Sequence, residues 1–382
     1  MWKLLPFTLK NLLRNRRRTI LTVLSMSASL FLLGTLLSVY AAFYHRETTE
    51  GQALRLITRH RVSLTQALPA FYGDKMRAIE GVEAVCAESW FGGTYIDTRP
   101  EHMFSRFAAE PEEVFKVYPD FILPPEQLQA FKNDRQAIAV GAPIAERVGL
   151  KIGDRITFKG DIYPVDLELT VRAIFSGVDA EASFFHFDYL NEGLPEGYRD
   201  FVGVYAIRTR SLDDVEPVTA AIDAMFRNAP EPTKTETEAA FSLAFINQIG
   251  NIKLFLLSIA GAIVFTIVLV SGNTMAMTVR ERIREVGVLK TLGFPASRLM
   301  SMIVLESTAM AALGGLIGVG AAYLVTQLLG NMLIFFVSGL TLPLWGVPIC
   351  LAAAIVIGFL SSVFPALSAS RTRITDALRH TG

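Results

Sequence analysis

The 382-residue chain holds only two cysteines, Cys86 and Cys350, so no disulfide framework can carry its fold. Charged residues make up only 19% of it, against 51% hydrophobic ones. That balance excludes dominant disorder, and a mean hydropathy of +0.39 lies above that of an ordinary soluble protein. An excess of either charge is missing too. The 36 basic and 36 acidic side chains cancel, which excludes a chain-wide cationic footprint for nucleic acid. No G-x-x-x-x-G-K-[ST], H-E-x-x-H, C-x-x-C or G-x-S-x-G occurs. P-loop phosphate binding, zincin hydrolysis, a thiol redox pair and a serine elbow are therefore all without their motif. The five histidines, His45, His60, His102, His186 and His380, are scattered. His186 and Asp188 would share a face if 184–189 were a strand, but two ligands without a third do not make a metal site. No catalytic residue and no metal are expected in this chain.

What is present is segregation. Lys3, Lys10, Arg14, Arg16, Arg17 and Arg18 crowd residues 1–18 with no acid among them. Residues 278–298 and 368–382 are also net basic, whereas 44–252 carry 21 bases against 32 acids. Between these segments lie apolar runs at 19–43, 254–277, 299–325 and 345–367. Each is long enough for the ~20 helical residues that cross about 30 Å of hydrocarbon. Lys and Arg in short loops stay in the cytoplasm. Four spans put all three basic segments, and both termini, on that side, with 44–252 outside. A cleaved signal peptide is the rival reading of 19–43, but its h-region would run only roughly 7–15 residues. Cys86 then falls outside and Cys350 within the fourth span, so they cannot pair. The apolar stretch 326–344 is expected to lie along the outer interface.

In the leader, Trp2, Leu5, Leu9, Leu12 and Leu13 recur at helical spacing, as in a helix lying in the cytoplasmic interface. The outer segment is long enough for its own core. Arg55–Leu64 alternates like a strand, Pro69–Glu80 reads as helix, Gly81 as a stop, and a strand starts at Val82. The far end mirrors this, with a strand at Phe201–Arg208, Ser211 as N-cap and a helix over Leu212–Phe226. Gly149, Gly153-Asp154 and Gly160-Asp161 mark turns between short strands. The order predicts an α/β module, 44–98 with 200–252, interrupted by a β-rich module at 99–199.

The inner loop reads TVRERIREVGVLKTLGFPASR. Val279, Ile283, Val286 and Leu289 or Lys290 step at three to four residues, so a short amphipathic helix is expected. Gly293 would stop it and Pro295 would start the next. A solvated basic loop would account for the charges but not for the apolar stripe, and the pattern fits a docking surface for a cytoplasmic partner. Glu306, inside the third run, is an intramembrane carboxylate and therefore a functional suspect. Gly314, Gly315 and Gly318 form a G-x-x-x-G pattern that allows close helix packing.

The leader TLKNLLRNRRRTILTVL, the loop RERIREVGVLKTLGFPASRLMSMIVLES and the following GGLIGVG resemble the MacB/FtsX-like permeases of ABC transporters. The outer stretches IAVGAPIAERVGLKIGDRITF and LTVRAIFSG are similar to the periplasmic domains of MacB and of the Lol lipoprotein-releasing permeases. The resemblance spans nearly the whole chain, and it implies a porter module with an inserted Sabre-like module. It makes Arg280, Arg282, Ile283, Arg284, Glu285, Val286, Gly287, Leu289 and Lys290 the coupling helix that docks into an ATPase. It further implies a bacterial inner-membrane protein working as a homo- or heterodimer of permeases. ATP and Mg would be bound by a separate ATPase subunit, as in the LolC/LolE and DevC types, because a fused ATPase domain of the MacB kind is missing. A periplasmic adaptor or outer-membrane channel is an optional further partner. The implied task is export or extraction of a lipid, lipoprotein, peptide or drug by motion transmitted to the outer domain. The alternative is an FtsX-like regulator that controls a cell-wall hydrolase or senses a peptide and moves nothing.

Overall fold

The uncharged run after Arg18 winds into a helix, α1 (Arg16–Tyr44). The computed structural model describes residues 16–45, 49–178, 180–248, 250–281, 283–330 and 340–371. By its backbone contacts the chain divides into two units, Met1–Arg46 with Ile249–Gly382, and Glu47–Gln248. The expected leader helix over 1–15, the stretch 331–339, the tail beyond 371 and Arg282 lie outside the described residues.

The second unit starts with α2 (Glu50–Ala53), which is fixed by a reciprocal cap. The Thr49 hydroxyl accepts the Gln52 N–H at 3.2 Å, and the Gln52 side chain accepts the Thr49 N–H at 3.1 Å, the pattern of a capping box. There follow β1 (Arg55–His60), β2 (Leu68–Pro69), α3 (Tyr72–Arg77), β3 (Val82–Trp90), β4 (Thr94–Tyr95) and β5 (Ser105–Ala109). Next come α4 (Val114–Val117), α5 (Pro125–Asn133), β6 (Ala137–Gly141), α6 (Ala142–Val148), β7 (Arg155–Lys159), β8 (Leu167–Phe175), β9 (Ala182–His186) and α7 (Phe187–Gly193). The unit ends with β10 (Phe201–Val202), β11 (Val204–Thr209), α8 (Val215–Met225), β12 (Thr233–Thr237) and α9 (Glu238–Gln248).

Ten strands make one mixed sheet in the order β12-β1-β11-β3-β5-β9-β6-β8-β7-β4, and β10 pairs with β2 apart from it. β7 and β8 alternate buried and less buried side chains, whereas β6 is buried throughout, as a strand covered on both faces must be. Val114 and Val117 of α4, Phe131 of α5, Phe175 of β8 and Phe184 of β9 meet in the main core.

Several expectations need correction. Residues 99–199 are α/β and not β-rich, because α4 to α7 interleave with β5 to β9. Helices of four to nine residues are too short to show a 3.6-residue period. The middle section also shares the sheet of the flanking pieces, through β3–β5 pairing from Glu88↔Ala109 to Trp90↔Phe107. The strand expected to reach Leu64 ends at His60, the helix over 69–80 shrinks to α3, and the strand at 201–208 breaks at Gly203. Ser211 does not cap the backbone. Its hydroxyl donates to the Asp214 carboxylate at 2.6 Å, and a 3₁₀ turn precedes α8.

The first unit continues with α10 (Ile252–Glu281), α11 (Ile283–Thr291), α12 (Ala296–Gly330) and α13 (Gly346–Arg371). Among the described residues α1, α10, α12 and α13 are long and apolar enough to cross a membrane. Met26 of α1, Met275 of α10 and Met310 of α12 share one cluster. Leu30 packs with Ile267 of α10 and with Ala354 and Ile357 of α13. Hydroxyls find partners inside the bundle. Ser271 donates to Ser361 at 2.9 Å and Ser307 to the Gly358 carbonyl at 3.0 Å, as groups shielded from water must.

Candidate coupling helix and helix packing

The loop between α10 and α12 is short because its chemistry stops one helix and starts another. Gly293 has φ +86°, a conformation that costs a glycine little. Its N–H reaches Lys290 O at 3.0 Å, and the Phe294 N–H reaches Leu289 O at 3.1 Å. These two bonds are the paired closures of a Schellman motif. Pro295 then precedes α12, its carbonyl taking the first helical N–H groups at Arg298 and Leu299. The expected helix start at Pro295 thus moves one residue on, to Ala296.

α11 has a sided environment, and the side differs from expectation. Val286 and Gly287 are buried in this chain's own unit, and Ile283, Leu289 and Lys290 are half-buried. Lys290 Nζ donates to the Ser370 carbonyl at 2.8 Å. Ser370 lies in the last turn of α13, where carbonyls have no helical donor, so the ammonium serves as a cap there. The periodic stripe Ile283–Val286–Leu289 therefore packs inward. Val286 is its most buried member, while Ile283 and Leu289 keep part of their surface. Arg284 and Glu285 are exposed, and so are Val288 (46%) and Leu292 (70%). Sequence reasoning missed these last two residues. Their signal was the complementary spacing, since 281, 284, 285, 288 and 292 recur at three and four residues on the opposite face. Arg280 is exposed in the last turn of α10.

Glu306 is buried on α12, at 7% exposure. Gly314 and Gly318 bring α12 against α1. A Cβ on Gly314 would stand 2.8 Å from Met26 Cβ, and one on Gly318 would run into the Ser27 carbonyl. Gly315 faces α13 instead, 2.8 Å from Ala354 Cβ. His186 and Asp188 do not share a strand face, because β9 ends at His186 and Asp188 belongs to α7. The His186 ring bonds the Phe131 carbonyl at 2.7 Å, and burial lowers its pKa. Among the described residues no cluster of His, Cys, Asp or Glu could hold a metal. What this arrangement offers is mechanical. α11 is fixed on one side to the end of α13 and is joined to α12 by the turn at Gly293.

Residues 257–374 match the FtsX-like permease C-terminal family. An uncharacterized ABC transporter permease of Methanocaldococcus jannaschii is 22% identical over 98% of this chain and 97% of its own length. The macrolide export ATP-binding/permease protein MacB of Rhodopirellula baltica is 29% identical over 28% of this chain and 15% of its own. The solved periplasmic region of MacB from Actinobacillus actinomycetemcomitans covers 51% of this chain and 93% of itself, with a TM-score of 0.37 and 8% identity. The chain is thus similar to ABC transporter permeases. Within that class the likeness is to the MacB/FtsX-like type, and the described residues hold four long apolar helices and an α/β domain built on a large mixed sheet.

Proposed function

We propose that this permease converts ATP hydrolysis on a separate ATPase subunit into movement of its outer domain, and that this movement serves export. One observation carries the reading: α11 has one face turned inward, with Val286 and Gly287 buried and Lys290 bonded to the end of α13, and the other face exposed with Arg284, Glu285, Val288 and Leu292. A displacement applied to the open face reaches α10, α12 and α13 together. The basic segments favour a cytoplasmic side for α11 and both termini, where ATP and Mg would be bound by the partner. The outer domain then lies beyond the bacterial inner membrane. A second permease completes the assembly, and Gly314, Gly315 and Gly318 keep each bundle tight enough to transmit motion. The word export is carried by the name of the MacB relative.

Co-purification from detergent with the ATP-binding subunit tests this. Val288→Asp with Leu292→Asp should leave the permease folded and remove the ATPase. Truncating a central apolar anchor at an interface can cost ~2 kcal/mol or more, about thirtyfold in affinity. Undiminished ATPase recovery by the folded double variant would overturn the assignment.

A further inference from the structure

Arg55 opens β1 and is 3% exposed. Its Nε donates to Glu238 and its Nη1 to Asp120, both at 2.7 Å. Glu238 starts α9, the last helix of the outer unit. Asp120 follows α4 in the middle section and lies against α2, where a Cβ on Gly51 would run into its carboxylate. One guanidinium thus ties the unit's last helix to its middle section, whose Asp120 also abuts the first helix. In the chain, α2 follows α1 and α9 precedes α10, so these are the segments by which the unit is strung to the spans.

Beneath the guanidinium, 4.9 Å away, lies the ring of Tyr118, whose hydroxyl donates to the Glu88 carboxyl of β3. Glu88 is 4% exposed, and its Oε1 has no hydrogen-bond partner. A buried carboxylate with an empty acceptor is costly, so the proton is retained. Burial pushes the Glu88 pKa up to about 8; the Tyr118 bond opposes the rise, the Glu238 charge adds to it and Arg55 opposes it. Tyr118 is itself driven well above its ordinary value by burial, so it stays a donor. Cys86, two residues along β3, is likewise raised by burial, with Glu88, Glu110 and Glu113 adding to the rise. Arg55 is the cation acting on Glu88, and Asp120 and Glu238 compete for it.

We propose that Glu88 is a proton-held safety on the Arg55 clamp: opening of α2 and α9 away from the middle section and loss of the Glu88 proton are one event. This latch is a property of the outer unit and goes beyond the permease reading. Only its relay to the spans would rest on that reading, and the test below does not use the relay. The sign follows from linkage. An opened site frees Glu88 to ionise near its ordinary value, so the open fraction rises by up to about tenfold per pH unit from roughly pH 4.5 to 8 and then levels off.

Hydrogen exchange on the full chain in lipid nanodiscs, from pH 5.5 to 9.5 and corrected for intrinsic rates, reads this directly. Backbone amides of α2 and α9 should exchange faster than those of β6 and β8. Their protection should fall with the stated slope up to pH 8 and stay level above it. Glu88→Gln should abolish the slope. Protection of α2 and α9 that ignores pH, or exchange only in step with β6 and β8 at the same rates, would overturn the proposal on the wild-type chain alone. A wild-type slope retained in Glu88→Gln would overturn it equally.

Discussion

Lys290 Nζ bonds the Ser370 carbonyl at 2.8 Å, joining α11 to the last turn of α13 across 80 residues of sequence. A hydrogen bond from a charged donor contributes about 1.5–3 kcal/mol, and the half exposure of Lys290 reduces that. Lys290→Met should lower the stability of the detergent-solubilised chain by about 1 kcal/mol, and Lys290→Arg should restore part of it. Thermal unfolding followed by circular dichroism is the check.

Close approach of α12 to α1 depends on missing side chains. A Cβ on Gly318 meets the Ser27 backbone, whereas one on Gly320 meets nothing within 4 Å. Gly318→Leu should cost roughly 1–3 kcal/mol or more, in the range of overpacked sites, and reduce folded yield. Gly320→Leu, two residues further on and so on another face, should be near neutral. Size-exclusion profiles of the two variants decide this.

Glu88 makes global stability depend on pH. The folded chain holds a proton that the unfolded chain releases near pH 4.5, and keeps it until about pH 8. The Glu88 contribution therefore favours folding at acid pH, declines as pH rises from about 4.5 to 8, and stays lost above that. Glu88→Gln should gain on wild type by on the order of a few kcal/mol at pH 8.5 and by little at pH 5. Denaturant unfolding at both pH values measures the difference.

Topology is open to labelling. With Cys86 and Cys350 replaced, single cysteines at Arg16 and Arg284 should be shielded from a membrane-impermeant thiol reagent in intact cells. One at Asp154 should react. All three positions are exposed in the chain, so shielding would come from the membrane. Labelling of the Arg284 site from outside would reverse the orientation.

The apolar runs at 19–43, 254–277, 299–325 and 345–367 were legible because each, Glu306 apart, is uncharged over a length no core helix needs. Strands with a half-covered face, such as β7 and β8, showed themselves by alternation. The short helices α4, α6 and α7 did not, since four to seven residues hold at most two turns. Proline and glycine positions instead suggested strand and turn. At the coupling helix, periodicity revealed that a stripe exists but not which way it faces. Val286 and Val288 are equally apolar, and only the folded unit separates them, burying the first and exposing the second. The Arg55 cluster was illegible for the same reason. Glu88, Asp120 and Glu238 are ordinary acids in sequence, and only the sheet order and α9 bring them to one cation.

The proposed docking of an ATP-binding subunit on the exposed side of α11 is open to a direct measurement. A photo-crosslinking residue placed at Val288 and, separately, at Val286 tests it in cells that express the permease with its ATPase. The account predicts a crosslink from position 288 to a subunit that mass spectrometry shows to carry a P-loop, and none from the buried position 286. No ATPase adduct from 288, or adducts of equal yield from both positions, would contradict it.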